Sequence, residues 1–264
     1  MLTYDELGHQ VATALLPLAV GLPRVLAAIT VVPMMSSQAV PMMARIAFSL
    51  SLALFLYPMH EAVRRQPDLG PMLWAFFALK EVLIGVCVGF TSSIFIWVVE
   101  GIGSLFDTLV GNNNLFLYNP MLNQETGPFS TLLSQFGAML FIAFGGMIVL
   151  LKTLFASFVE WPALSFVPSW SHAALAFFIR QSADMLSYSV QLAMPVLTVL
   201  MLVDFGLGLL NRSASQLNAY TLSLPIKALV SVLFLTLTLV YIGDAHGPLL
   251  RMLSISDAFL RLKL

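Results

Sequence analysis

Nine ionisable side chains lie inside otherwise apolar segments of this sequence, and they are its strongest candidates for functional residues. The nine are Arg24, Arg45, Lys80, Glu81, Glu100, Arg180, Asp184, Asp204 and Lys227. On membrane-insertion scales a charge at the centre of an apolar helix costs about 2.5–3.5 kcal/mol, so each requires a counter-charge, a backbone acceptor or water. Arg180 and Asp184 stand four residues apart and can pair along one helix face. The whole group indicates either a polar lumen or subunit seam, or a set of internal salt bridges, and both interpretations stay open.

Residue patterns for covalent chemistry are missing from the sequence. The four histidines are scattered, and none belongs to an H-E-x-x-H pair or stands beside a nucleophile elbow. The sequence also contains no Walker loop and no G-x-G-x-x-G turn for a phosphate. A single cysteine, Cys87, excludes an internal disulfide. We therefore expect a protein that is not an enzyme and that holds no cofactor or metal.

The composition is that of an integral membrane protein. Of the 264 residues, 59% are hydrophobic and only 9% are charged, and the mean hydropathy is +0.92. In soluble domains about a quarter of the residues are charged. Twelve basic residues and thirteen acidic ones nearly cancel, which leaves no basic face for a nucleic-acid backbone. Nucleic acid is therefore excluded as a partner, and a membrane is required.

The elements that position these side chains are helices. A span of about 30 Å of hydrocarbon needs about 20 apolar residues, and six segments approach that length: 11–32, 42–58, 72–103, 131–151, 173–210 and 222–242. We expect residues 1–264 to form one all-α membrane-embedded domain, with a short amphipathic tail beyond Gly247. Proline removes a backbone donor and clashes with the preceding turn, so Pro17, Pro23 and Pro195 predict helices that are broken. In a membrane such breaks require protein or water as neighbours.

A stripe of small residues follows Glu81 along one face of the third segment. Steps of four lead from Glu81 to Gly85, Gly89, Ser93, Trp97 and Gly101, most of which are small. Such stripes let two helix backbones approach closely in lipid. The partner helix belongs either to this chain or to another subunit, and the spacing does not decide between them.

The segment GNNNLFLYNP, residues 111–120, follows this helix and combines three asparagines with an apolar, aromatic run. Glycine and asparagine favour turn and left-handed backbone, and Asn119-Pro120 marks a further turn, so we expect irregular backbone here. One interpretation is a periplasmic loop whose Phe116 and Tyr118 lie at the membrane interface. The other is a loop that lines or fills a channel, because irregular backbone at membrane depth survives only against protein or a cavity.

Four stretches of the sequence resemble one known family. They are LPRVLAAITVVP with VPMMARIAFSLSLAL, KEVLIGVCVGF with WVVEGIGSLFDTLVG, LFIAFGGMIVLLKTLFASFVEWPALSFVP, and AMPVLTVLMLVDFGLGLLNRSASQLNAYTLSLPIKALVS. Together they resemble the T subunit of type III secretion export apparatuses, the counterpart of the flagellar R protein (SctT/FliR family). The run FASFVEWP is closer to the virulence branch than to the flagellar one. The sequence departs from the family pattern at Ser215, where proline is usual, and at Asn119, where Asp is common.

The resemblance implies an accessory to transport, located in the bacterial inner membrane at the core of the secretion system base. In this family one T subunit assembles with five R and four S subunits, next to the U switch subunit, and unfolded secreted proteins pass through the assembly. The implied fold resembles R-type and S-type subunits fused in one chain, with bent helical hairpins. A secondary transporter of a small solute is the alternative, because it also combines buried charges with broken helices. It predicts paired interrupted helices in two matching halves, which the sequence does not display.

The resemblance also implies two sets of functional residues. The plug that closes the pore is carried by Phe106, Leu109, Gly111, Asn112, Asn113, Asn114, Leu115, Phe116, Leu117, Tyr118, Asn119 and Pro120. The polar seam between subunits is carried by Glu81, Gly85, Gly89, Ser93, Asp107, Arg212, Gln216, Asn218, Pro225 and Lys227. An apolar constriction can close a pore by excluding water and still be displaced. We therefore expect the apolar run at 115–118 to act as a stopper, with the glycine and asparagines as its hinge.

Overall fold

The computed structural model describes residues 4–35, 40–59, 70–111, 117–119, 124–165, 172–213 and 219–243. Within these ranges the chain is almost entirely helical. The helices are α1 (Tyr4–Val31), α2 (Met42–Phe55), α3 (Pro71–Val110), α4 (Pro128–Ala143), α5 (Gly146–Glu160), α6 (His172–Ser213) and α7 (Ala219–Gly243). Two short antiparallel strands, β1 (Leu117–Asn119) and β2 (Gln124–Thr126), lie between α3 and α4. The prediction of an all-α membrane protein is confirmed.

Within the described residues, fewer helices than the six expected are long and apolar enough to cross a membrane. Four described helices are long and apolar enough to cross a membrane, with spans at Thr13–Val31, Met72–Val110, Ala176–Leu210 and Ser223–Tyr241. The bent pair of α4 and α5 adds a fifth if it counts as one span. Helix α2 is apolar but has only 14 residues. At a rise of about 1.5 Å per residue it extends about 21 Å, which is short of the hydrocarbon thickness.

The helix breaks do not fall where proline predicted them. Helix α1 continues through Pro17 and Pro23, and α6 continues through Pro195. The segment expected as one helix at 131–151 is instead interrupted at residues 144–145, where Gly145 has a φ of +77°. A left-handed φ of this kind ends a helix and favours glycine. The adjacent Gly145 and Gly146 were therefore a stronger signal for a break than the prolines.

The described chain divides into two compact units. Unit 1 contains the described residues of 1–93 and 146–177, which include α1, α2, α5 and the first part of α3. Unit 2 contains those of 94–145 and 178–254, which include the second part of α3, both strands, α4, α7 and nearly all of α6. Each unit has buried apolar side chains of its own, such as Ile29, Ile84 and Leu154 in unit 1 and Ile102, Leu133 and Leu200 in unit 2.

In unit 1, α1 and α3 approach at glycine positions. A Cβ on Gly85 would collide with the backbone oxygen of Arg24, and a Cβ on Gly89 would lie 2.5 Å from that of Ala28. Ser93, one turn further along α3, is buried, and its hydroxyl donates to the Gly89 carbonyl (2.7 Å). The small-residue stripe therefore forms a close helix contact, and its partner at these two glycines is α1 of the same chain.

In unit 2, α4 returns along the second part of α3. A Cβ on Gly103 would lie 2.6 Å from Cα of Ser130, and one on Gly137 would lie 3.1 Å from Cβ of Val99. Helix α6 contacts the same part of α3, since the Ser189 hydroxyl lies 3.2 Å from the Val98 carbonyl oxygen. In the most apolar 18-residue window of each helix, only 17% of the residues of α6 and of α7 are buried by the chain itself, against 67% for α3. The apolar surfaces of α6 and α7 are therefore left to lipid or to other proteins.

Candidate functional site

The end of α3 and the start of α4 form one fixed junction in unit 2, which we call the α3–α4 junction (residues 106–111 and 127–131). Phe106 is fully buried there. Its ring packs edge-on against that of Phe129, with 6.1 Å between the ring centroids. The first of the proposed plug residues is therefore a core side chain of unit 2.

Asp107 holds the junction together by capping α4 from another helix. Its carboxylate accepts hydrogen bonds from the backbone N–H groups of Phe129 (3.1 Å) and Ser130 (2.8 Å), and from the Ser130 hydroxyl (2.7 Å). A carboxylate at a helix N-terminus satisfies free N–H groups and interacts favourably with the helix dipole. The position preceding α4 has to be Gly127, because an added Cβ would collide with the Asp107 carboxylate.

Lys227 of α7 holds the C-terminal end of α3. Its ammonium donates to the carbonyl oxygen of Leu109 (2.9 Å) and lies 2.6 Å from a carboxylate oxygen of Asp204 on α6. Carbonyls in the last turn of a helix lack partners within the helix, and a cation there opposes the negative end of the dipole. The helix then ends at Gly111, whose φ of +86° is the left-handed conformation that glycine adopts most easily.

The segment between the two ends of the junction includes a short β-hairpin. Leu117 pairs with Thr126, and Asn119 pairs with Gln124. The Thr126 hydroxyl lies 2.8 Å from that of Thr131 in the first turns of α4, which fixes the returning strand to the junction. The prediction of irregular backbone is therefore wrong for residues 117–119, where ladder hydrogen bonds form. Leu117 remains 49% exposed. Residues 112–116 and Pro120, and the side chains of Tyr118 and Asn119, lie outside the described structure.

A buried ion cluster occupies unit 1 and consists of Arg24, Lys80 and Glu81. Arg24 donates to both carboxylate oxygens of Glu81, from Nε (2.7 Å) and from Nη2 (2.9 Å). The Lys80 ammonium lies 3.2 Å from the same carboxylate. The three side chains are at most 5% exposed. The cluster contains two cations and one anion, so a second source of negative potential is required.

The carboxyl end of α5 supplies that negative potential. Arg24 Nη1 donates to the Ser157 carbonyl (2.7 Å) and Nη2 to the Trp161 carbonyl (2.8 Å). Lys80 donates to three further carbonyls just beyond the helix, those of Pro162 (3.1 Å), Ala163 (2.6 Å) and Ser165 (3.0 Å). The excess positive charge thus lies at the negative end of a helix dipole. For Arg24, Lys80, Glu81, Asp204 and Lys227 the internal salt-bridge interpretation is correct.

Other predicted seam residues remain apart from both clusters. Arg212 is exposed near the end of α6, and Pro225 is exposed on α7. Arg180 and Asp184 are exposed on α6, and in the described ranges no ion pair joins them. Gln216 and Asn218 fall outside the described residues. Among the residues that the structure does describe, no group of three His, Cys, Asp or Glu side chains is placed to hold a metal ion.

The site residues predicted from the sequence did not include Arg24 and Lys80, which belong to the buried ion cluster. They also did not include Asp204, which pairs with Lys227. The sequence signal for each of these three residues is a charge inside an apolar segment. Their partners are distant in sequence, since Arg24 and Glu81 are separated by 57 positions. Spacing rules for one helix cover only three or four positions and cannot pair them.

The capping role of Lys227 leads to a prediction about the end of α3. Replacing Lys227 by Met is expected to speed amide hydrogen exchange at residues 107–111 about tenfold or more, because a hydrogen bond from a charged group contributes about 1.5–3 kcal/mol. Exchange followed by mass spectrometry of the detergent-purified chain measures this. Asp204→Asn is the matched control, since it removes the ion pair and leaves the bond to Leu109, and it should have a smaller effect. Unchanged exchange in Lys227→Met would contradict the capping role.

Comparison with known proteins gives concordant matches along most of the chain. The sequence profile described as "Bacterial export proteins, family 1" matches residues 15–252. Yop proteins translocation protein T of Yersinia pestis is 35% identical over 219 residues, which cover 82% of this chain and 83% of the relative. Secretion system apparatus protein SsaT of Salmonella typhimurium is 31% identical over 168 residues, or 64% of each chain. Flagellar biosynthetic protein FliR of Bacillus subtilis is 29% identical over 218 residues, covering 80% of this chain and 82% of the relative.

Proposed function

We propose that this chain, which belongs to the bacterial export proteins, family 1, is a core subunit of a type III secretion export gate. It assembles in the bacterial inner membrane with R and S subunits, in the family ratio of five R, four S and one T, and contacts the U switch subunit. The assembly conducts unfolded secreted proteins. The relatives support an export role, because their names refer to protein translocation, a secretion apparatus and flagellar biosynthesis. The chain catalyses no reaction in this proposal.

The plug segment, residues 111–120, to which Phe106 and Leu109 lead, keeps the gate closed until a substrate displaces it. The observation that carries this proposal is the α3–α4 junction. Asp107 binds the start of α4 at the end of α3, so the segment between them leaves and returns at one fixed point. A loop clamped in this way can move in and out of a pore without separating the helices that carry it.

The chemistry of the segment fits a stopper. Leu115, Phe116, Leu117 and Tyr118 are apolar or aromatic and follow the three asparagines directly. A pore that admits a polypeptide would conduct ions at rest, and an apolar constriction prevents this by excluding water. The contact is also weak enough to be displaced, because no charge or covalent bond has to be broken.

Helices α6 and α7 provide exposed surfaces for assembly with other subunits. The spans of α6 and α7 are largely unburied by their own chain, and α6 carries exposed charges at Arg180 and Asp184, which no ion pair in the described ranges neutralises. Charges exposed on an apolar helix are costly against lipid and are tolerated against protein or a wet cavity. These faces are therefore the ones that we assign to the R and S subunits and to the lumen.

The plug is tested by a length-preserving variant, Leu115→Ser with Phe116→Ser. In complexes assembled with R and S subunits, we expect resting ion conductance across the inner membrane to rise from background to a clear leak. Serine at both positions removes the apolar surface but keeps the segment intact. The matched control is Asn113→Ser with Asn114→Ser, which should remain closed. If the complex with Leu115→Ser and Phe116→Ser assembles and its resting ion conductance equals that of the wild type, the plug is ruled out.

A further inference from the structure

The outward surface of α3 changes character along the helix. In its first half the exposed side chains are all apolar, among them Phe76 and Leu83. Between residues 94 and 110, a range that the structure describes throughout, no large apolar side chain is exposed, and the two exposed residues are Ser104 and Thr108. The first half can therefore face lipid, whereas the second half presents hydroxyl groups, which are costly to bury in an apolar environment.

Glu100 lies on the same side of α3 as these two hydroxyl groups. It precedes Ser104 by one turn, and Ser104 precedes Thr108 by another, so the three side chains follow one another along the helix surface. The Thr108 hydroxyl donates to the Ser104 carbonyl (2.8 Å). Glu100 is partly buried, and its carboxylate keeps accessible surface. We call Glu100, Ser104 and Thr108 the polar face of α3.

Glu100 has no counter-charge in the part of the chain that the structure describes. The ion cluster of unit 1 and the pair of Lys227 with Asp204 do not include it, and no described residue forms a hydrogen bond with its carboxylate. A carboxylate in an apolar segment requires a cation, a hydrogen-bond donor or water. Because the carboxylate of Glu100 is accessible, its partner comes from outside the described chain.

The polar face leads directly to the plug segment. Thr108 is three residues before Gly111, at which α3 has ended and the plug segment begins. A plug closes a pore only if the helix that carries it borders the same opening. A hydrated wall of hydroxyl and carboxylate groups next to an apolar constriction is an arrangement that channels use for selectivity and gating. The position of the face therefore favours water over lipid as its surroundings.

Two other helices of unit 2 expose a different kind of surface. Helix α4 exposes mainly apolar side chains, such as Leu132 and Met139, and so does α7, with Leu229 and Leu233. Surfaces of this kind suit lipid or the apolar helices of other subunits. The polar face of α3 suits neither as well, because the carboxylate of Glu100 would have to be buried there without a partner.

We propose that the polar face of α3 lines the hydrated pore of the export gate, where Glu100 places one negative charge on the pore wall. This inference rests on the proposed function, because the gate provides the pore. The charge attracts small cations and the Lys and Arg side chains of a passing polypeptide. The hydroxyl groups of Ser104 and Thr108 both donate and accept hydrogen bonds, so they replace water next to a passing chain of any sequence.

The first test uses cysteine labelling to determine whether the polar face meets water. The chain has a single cysteine, so Cys87→Ala gives a background in which a new thiol is unique. In gate complexes in lipid nanodiscs that carry Leu115→Ser and Phe116→Ser, a charged, membrane-impermeant maleimide should modify Ser104→Cys at least about tenfold faster than Leu132→Cys, because the reaction requires an accessible thiolate. Mass spectrometry of the labelled chains gives both rates.

The second test measures the charge on the pore wall. In the conducting complex with Leu115→Ser and Phe116→Ser, Glu100→Gln should lower the cation-to-anion permeability ratio about threefold, the effect of one unit charge about 6 Å from an ion in water. Reversal potentials in a salt gradient give this ratio. Glu100→Asp should preserve the ratio because it retains the charge. Glu160→Gln is the matched control, since it neutralises an exposed carboxylate on α5, and it should leave the ratio unchanged.

Three results would overturn the inference. They are equal labelling of Ser104→Cys and Leu132→Cys, equal permeability ratios with and without Glu100→Gln, and loss of assembly in Glu100→Gln, which would place the carboxylate in a subunit contact. A complex with Leu115→Ser and Phe116→Ser that stays closed contradicts the proposed plug instead. Labelling of Ser104→Cys then still decides whether the polar face is hydrated, so the two failures are distinguishable.

Discussion

Replacing Glu81 by Gln lowers the free energy of unfolding of this chain by about 3–5 kcal/mol, the usual cost of removing one member of a buried ion pair. The carboxylate is fully buried and is the only anion that contacts Arg24 and Lys80 in the described structure. Glutamine has a similar shape, so packing is conserved, but two cations then remain without a counter-charge. The loss should appear as a lower unfolding midpoint of the detergent-purified chain and a lower steady-state level in the membrane.

A double-mutant cycle separates this electrostatic effect from general disruption. Arg24→Met removes one of the two cations, so Arg24→Met combined with Glu81→Gln should cost clearly less than the sum of the single changes. An apolar replacement of a whole buried pair is often close to neutral. Strictly additive losses would show that Arg24 and Glu81 stabilise the chain through independent contacts.

The second large effect is expected at the contact between α1 and α3. Gly85→Ala should destabilise the chain by about 3 kcal/mol, the upper end for overpacking, because the obstacle to the new methyl group is the backbone oxygen of Arg24. A flexible side chain could move aside, but a backbone carbonyl moves only with its helix. Gly89→Ala should have a similar effect, since its methyl group would lie 2.5 Å from the Ala28 oxygen.

Gly206 of α6 provides the matched control. It is also a helical glycine in an apolar segment, but nothing lies within 4 Å of an added Cβ. Gly206→Ala should therefore be neutral or stabilise the isolated chain by about 0.5–1 kcal/mol, the helix-propensity difference between the two residues. The unfolding midpoints of the three variants measure the contrast. Equal effects at Gly85 and Gly206 would mean that α1 and α3 do not approach as closely as the structure has them.

The positions of the helices could be predicted from the sequence, because long apolar runs determine them. The predicted segments 72–103 and 173–210 lie within α3 and α6, although α3 continues past the predicted end, to Val110. The breaks could not be placed by proline content. Helix α1 continues through Pro17 and Pro23, because in apolar surroundings a helix that loses one hydrogen bond still satisfies most of its backbone groups. The stripe from Gly85 to Ser93 was recognised as a packing face, and only the structure identified α1 as its partner.

The sequence identified individual residues of the candidate site, such as Asp107 and Lys227, but it did not predict which residues they contact. Asp107 was expected in a subunit seam, yet it caps α4 from a different helix. Sequence rules for caps inspect the residue before the helix, here Gly127, and cannot detect a cap that comes from elsewhere in the chain. In the same way, Lys227 and Leu109 are separated by 118 positions, so their contact depends on tertiary packing alone.

The length of α3 has a consequence for the surrounding membrane. Its 40 residues extend about 60 Å, twice the thickness of an ordinary hydrocarbon layer. Even a tilt of about 40°, the largest commonly seen, leaves about 46 Å to be covered. The most apolar 18-residue window of the helix is 67% buried by the chain itself, and the exposed large apolar side chains, such as Phe76, Leu79, Leu83 and Val86, all lie in its first half. Lipid or detergent therefore has to cover only this first stretch, and the rest of α3 can extend beyond an ordinary bilayer because other helices of the chain cover its apolar side chains.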